Sequence, residues 1–165
     1  MTARLFVAIR PDADTIEALG RLVHDAGPDV RLVPEASWHV TLRFLGDVDT
    51  AEAAQRLERL DLPPTTARLG PEVTVLGRHL VVPVSGVDDL ADAVEAATVG
   101  LGEPPRHAFS GHLTLASAGR SSADLVGRPI ARSFQVDEIH LLRSEPGRRY
   151  DTVTTRGRRT RSPHR

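Results

Sequence analysis

Trp38-His39-Val40-Thr41-Leu42-Arg43-Phe44-Leu45 and, later in the chain, Gly111-His112-Leu113-Thr114-Leu115-Ala116 are the stretches that decide how this sequence is read. Each is an apolar, strand-forming run interrupted by a histidine and, two positions on, a threonine. Successive side chains of an extended strand face opposite ways, so His39 and Thr41 share one face while Val40 and Leu42 share the other. His112 and Thr114 stand in the same relation to Leu113 and Leu115. Each strand therefore carries an imidazole and a hydroxyl about 6.6–7 Å apart, with an apolar anchor behind them.

The surroundings of the two stretches repeat as well. Leu5-Phe6-Val7-Ala8-Ile9 reads as a buried strand ended by Arg10-Pro11. Asp12 or Asp14 then caps a helix bearing Ile16, Leu19, Leu22 and Val23, and Gly27-Pro28 stops it. Residues 30–33 form an edge strand, the first His-Thr strand ends at Gly46-Asp47, and residues 50–60 form a helix with Ala53, Ala54 and Leu57 inward. In the second half, residues 73–76 and 79–84 are strands joined at Gly77-Arg78. A helix from Asp88 or Asp89, with Leu90, Val94, Ala97 and Leu101 on one face, ends at Gly102. Residues 133–142 and 149–155 supply two closing strands with Gly147 in the turn. Leu5 precedes His39 by 34 residues and Leu80 precedes His112 by 32, with a helix between in both cases. A strand–helix–strand unit at a near-constant interval implies two related lobes about a pseudo-twofold axis.

Composition sets the bounds. The chain has 165 residues, 40% hydrophobic and 26% charged, which describes one ordinary globular unit rather than a disordered or fibrous chain. No run nears the roughly 18 apolar residues of a membrane span, and no secretory signal is visible, so a cytoplasmic location is expected. The absence of cysteine excludes disulfides, thiolate metal sites and cysteine nucleophiles. Every Lys-or-Arg position is arginine, as codon bias in a GC-rich genome would give and as phosphate contacts would also favour. Net charge is −1, yet residues 143–165 carry +6 and the rest −7. The expected organisation is a single bilobal domain over residues 1–155 and a basic tail over 156–165, either a solvated terminus or a contact for a polyanion.

Facing histidines and threonines suit a phosphate. With a free pKa near about 6.5, one imidazole takes a proton from a nucleophile while its protonated partner gives one to a leaving group. Threonine hydroxyls donate to the non-bridging oxygens, where charge accumulates. Acyl transfer would call instead for one nucleophile–His–acid set. His24, His79, His107, His140 and His164 lack such a motif and are read as non-catalytic. No His-Glu-x-x-His or similar cluster points to a metal, and no glycine-rich loop points to a nucleotide cofactor.

These motifs, with Arg4-Leu-Phe-Val-Ala-Ile9, the Arg43-Phe-Leu-Gly46 extension, Phe109-Ser-Gly111 and the ending from Ile139-His-Leu-Leu-Arg-Ser144 to Gly147 and Tyr150, resemble the 2H phosphoesterase superfamily. Within it the sequence is similar to the RNA 2′,3′-cyclic phosphodiesterases, also called the 2′-5′ RNA ligase family. The resemblance implies an α/β (α+β) bilobal fold, with antiparallel sheets lining a central cleft. It implies metal-independent opening of a terminal 2′,3′-cyclic phosphate to a 2′-phosphate, with no cofactor, and possible reversal as 2′-5′ ligation. Carried over by position, His39 and His112 are the catalytic residues and Thr41 and Thr114 the phosphate-binding ones, with His112 as base and His39 as acid. The expected partner is RNA ending in a cyclic phosphate, tRNA fragments included, and the expected state a monomer. The family's second motif often continues Leu-Ala-Arg, the arginine contacting the terminal nucleotide. Ser117 stands in that place here, leaving the contact to Arg120 or an arginine from elsewhere. Phe44 and Phe109 are read as packing residues. The alternatives are a small-molecule cyclic nucleotide phosphodiesterase and a nucleotide- or RNA-binding module without turnover; intact histidines and threonines favour the enzyme.

Overall fold

In β1 (Thr2–Ile9), Leu5, Val7 and Ile9 point into the main core while Phe6 and Ala8 join a small separate cluster with Leu142 on the opposite face. An apolar partner on both faces explains the unbroken hydrophobic run. The computed structural model describes residues 1–147 and 149–159. Of the two candidate caps of α1 (Ala13–Val23), Asp12 is the one used: its carboxylate accepts the Thr15 N–H at 2.9 Å. β2 (Val40–Asp49) runs through Gly46 instead of ending there. Gly46 has φ +77° and sits where the β1–β2 register slips, so it absorbs a bulge and the strand continues. Asp49 then caps α2 (Thr50–Glu58) by accepting the Glu52 N–H at 2.9 Å.

The second half runs β3 (Thr66–Leu69), β4 (Thr74–Leu76), β5 (His79–Ser85), α3 (Asp88–Ala97) and β6 (His112–Ser117). It closes with β7 (Arg132–Gln135), β8 (Glu138–Glu145) and β9 (Arg149–Gly157). The strands hydrogen-bond in the order β7-β3-β5-β6-β2-β1-β8-β9, with β4 paired to β5, and every described pair is antiparallel. Along this path the order divides between β6 and β2 with four strands on each side, and β4 adds a fifth on the β6 side. The two halves meet through one register pair, Val40↔Leu113, which is the middle residue of each His-x-Thr. The sequence repeat thus maps onto a curled antiparallel sheet whose pseudo-twofold passes between the motifs. Helices cross over: α3 packs on β2 and α1 against β7, so each half covers part of the other. Buried apolar residues of both halves form one contiguous cluster.

Three further expectations are corrected. Residues 133–142 are two strands, β7 and β8, on opposite sides of the sheet order. At the break, the Val136 N–H donates to Thr65 O at 2.9 Å and Asp137 O accepts the Arg158 N–H at 2.8 Å. Tertiary partners thus stop a run that is apolar enough to continue. Residues 30–33 form only a bridge, Leu32↔Ala116, because β6 offers a short free edge there. α3 stops at Ala97; Leu101 is buried beyond it, after Gly100 with φ +76°. β3, four residues long, has no counterpart among the strands expected from the sequence.

β9 extends through Gly157, Arg156 Nε donates to Leu60 O at 3.1 Å, and the Arg159–Asp61 ion pair spans 3.8 Å. The limit drawn at 155/156 therefore falls inside a strand, and residues 160–165 lie outside the described residues. Among the described residues no helix is long and apolar enough to cross a membrane.

Candidate active site

The Val40↔Leu113 pair sets the site. Both residues are fully buried on the core side, which obliges their neighbours to face the other way. Antiparallel pairing puts His39, immediately before β2, across from Thr114, and Thr41 across from His112. Directly opposed residues lie about 4.5–5.5 Å apart at Cβ and diagonal ones about 7–8 Å. The two imidazoles therefore occupy one diagonal of a quadrilateral and the two hydroxyls the other, a spacing suited to one phosphate between the rings.

Each ring is held alike. His39 Nδ1 donates to Ser37 O at 2.8 Å and His112 Nδ1 to Ser110 O at 2.7 Å. The carbonyl two residues upstream thus fixes Nδ1 as the protonated nitrogen and leaves Nε2 for chemistry. The Thr41 hydroxyl lies 3.1 Å from His39 Nε2 and donates to it when the ring is neutral. The sequence carries a faint trace of this brace, a serine two places before each histidine, but the acceptor is backbone and residue type does not encode it.

The environments of the two rings differ. Phe6 and Tyr150 pack on His39 at centroid distances of 5.1 and 5.0 Å, and on one another at 5.1 Å. Burial, above all, pushes the His39 pKa below the usual histidine value. The Ser37 carbonyl works against this, while the positive charges of Arg10 and His112 add to it. His39 and Thr114 open on a cavity of about 200 Å³ with Ser37, His79 and Tyr150 on its walls. His112 and Thr41 open on a second cavity of about 620 Å³, with Arg4, Phe44, Arg106 and Phe109. Phe44 departs from the packing role expected of it. It is 37% exposed, with the Arg4 guanidinium 4.8 Å from its ring centroid. Phe109 does pack against the core.

Arg43, within the first motif, turns to the core, where its Nε donates to Thr98 Oγ1 at 2.8 Å and its Nη2 to Leu101 O at 3.2 Å. It ties β2 to the segment that walls the larger cavity. A Cβ on Gly102 would come within 2.0 Å of Leu45 O, so only glycine permits that segment to dock.

Ser117 pairs with His79 across β6–β5. The ladder skips Leu115, which brings Ser117 onto the face of Thr114. Arg120 lies exposed in a short turn and lines neither cavity. His24 is exposed on the end of α1, where its Nδ1 donates to Arg21 O at 2.9 Å. His140 is buried with Nδ1 3.0 Å from Thr155 Oγ1, and burial lowers its pKa. His107 and His79 line the larger and smaller cavities, respectively; His164 lies outside the described residues. Among the described residues no group of three or more His, Asp or Glu side chains is placed to hold a metal ion.

A family model described as LigT like Phosphoesterase matches residues 7–69. No curated protein matches the chain. Among solved structures, E. coli LigT complexed with 3′-AMP is 24% identical, with 97% of this chain and 100% of that one covered and a TM-score of 0.76. The Thermus thermophilus protein TT0787 is 24% identical, covering 93% and 97%, with a TM-score of 0.74. The MHV ns2 PDE domain is 15% identical, covering 87% and 99%, at 0.64. At these identities the structures establish the shared fold. The family match covers the first motif and its flanks, and the structures add a likeness of fold over nearly the whole chain.

Proposed function

We propose that the protein is a metal-independent RNA 2′,3′-cyclic phosphodiesterase that opens a terminal cyclic phosphate to a 2′-phosphate. The observation that carries this reading is the register: one pair, Val40↔Leu113, sets two carbonyl-braced imidazoles on a diagonal of one face, with a threonine opposite each. In the reaction, water attacks phosphorus and gives its proton to His112 Nε2. The bond from phosphorus to O3′ breaks, and the departing oxygen takes the proton of His39 Nε2. Thr41 and Thr114 donate to the non-bridging oxygens.

The surroundings support these roles. His112 lies beside the larger cavity, through which water reaches it. Burial lowers the His39 pKa and makes its imidazolium the stronger acid, and a bound phosphate anion favours that charged form against burial and the Arg10 charge. The structures of E. coli LigT with 3′-AMP, phosphate, ATP and NADP+ support a nucleotide-phosphate ligand for this cleft. The basic end of the chain supports RNA as the physiological form of that ligand.

The test is turnover of a dinucleotide ending in a 2′,3′-cyclic phosphate, in EDTA. We expect undiminished opening to the 2′-phosphate. Binding without turnover would identify a recognition module, and turnover lost to the chelator would refute the mechanism.

A further inference from the structure

Sequence pattern alone makes His79 an ordinary strand-face histidine, yet it lines the cavity that holds His39 and Thr114. The ladder explains how. Val81 pairs with Thr114, and His79, two residues earlier on β5, falls on the same face. Opposite it stands Ser117, too small to cover the ring. His79 is exposed, and its ring makes no hydrogen bond to the described residues. Its imidazole, with one donor and one acceptor when neutral, is therefore available to a ligand.

The size of the cavity narrows what that ligand is. About 200 Å³ falls below the 300–1,000 Å³ of sites that enclose whole drug-sized ligands. It suits a sugar ring whose base reaches past the rim. With His39 protonating O3′, the ribose that carries this oxygen belongs on the His39 side. We propose that His79 is a specificity-determining contact to the nucleoside bearing the cyclic phosphate, hydrogen-bonding its base where the sugar enters the smaller cavity. This rests on the cyclic-phosphate reading above. It assigns to β5 a nucleotide contact where the family's arginine is replaced by Ser117 and where Arg120 lines neither cavity.

The experiment compares wild type with His79→Ala and His79→Gln on the four nucleoside 2′,3′-cyclic phosphates, with inorganic phosphate as a competitive inhibitor. Thermal midpoints confirm folding. For His79→Ala we expect KM to rise roughly tenfold for the preferred base, the loss of about one hydrogen bond. We also expect kcat within about twofold, flattened discrimination among bases, and phosphate inhibition unchanged because phosphate does not reach the nucleoside. His79→Gln, which keeps a donor and an acceptor, should recover part of the KM. Unaltered KM and base preference in His79→Ala, with Phe44→Ala raising KM instead, would overturn the assignment and put the nucleoside in the larger cavity. A wild type that opens none of the four would overturn the underlying reading as well, so the two failures are distinguishable.

Discussion

The two His-x-Thr strands are near copies in sequence and in hydrogen bonding, but not in surroundings. His39 follows Trp38, 4% exposed, and is boxed by Phe6 and Tyr150 from β1 and β9. His112 follows Gly111, where a Cβ would come within 2.3 Å of Val84 O, and opens on the larger cavity. One motif is wrapped by aromatic rings, the other by close backbone. A duplicated strand thus supplies two like imidazoles, and the packing behind each gives them the unlike environments that the proposed acid and base roles require.

The strongest way to break this comparison is to remove each ring in turn. His39→Ala and His112→Ala should each lower kcat by about 10²–10⁴-fold, as a proton transfer is lost on one side. A cyclic phosphate with sulfur in place of O3′ needs no proton on departure. It should restore much of the activity of His39→Ala and little of that of His112→Ala; the opposite pattern would exchange the roles. Smaller effects are expected from Thr41→Val and Thr114→Val, about 1–4 kcal/mol of barrier each, read as a fall in kcat with folding intact. Equal losses would fit a phosphate centred on the quadrilateral, and unequal ones would show which half grips it harder.

Acid sharpens the contrast through stability. His39 and His140 both have pKa values lowered by burial in the folded state. The unfolded chain therefore binds protons more readily. Stability is fully present above about pH 6.5 and declines as pH falls through that value toward the lowered pKa values. Urea midpoints should fall over this range, and fall less in His140→Gln. The smallest effect is expected at the chain end. Truncation must spare Arg156 and Arg158, whose bonds to Leu60 and Asp137 anchor β9. Deleting residues 160–165 should leave mononucleotide turnover unchanged while weakening RNA binding and flattening its salt dependence. We further propose that the two halves unfold as one unit, since α1 and α3 each pack on the opposite half; a single urea transition followed by two probes checks it.

Strong local signals were legible. Asp12 as a cap, the hairpin at Gly77-Arg78, the helical faces of Leu19 and Leu90, and the strand around each motif follow from patterns within a few residues of each other. The features the sequence hid depend on distant partners. Gly46 reads as a stop but carries a bulge because β1 runs alongside; Val136-Asp137 reads as strand interior but is a break because Thr65 holds Val136 and Arg158 holds Asp137. His79 reads as surface because nothing near it in sequence tells which face β5 turns to the cleft.

The alternation of apolar and polar residues, by itself, determined that His39 and Thr41, and likewise His112 and Thr114, share a face, since strand geometry admits no other outcome over two residues. Only the tertiary structure decided that the two faces are one face. That depends on Val40 and Leu113 pairing across the middle of the sheet, a contact between residues far apart along the chain whose stability comes from the core both halves build together.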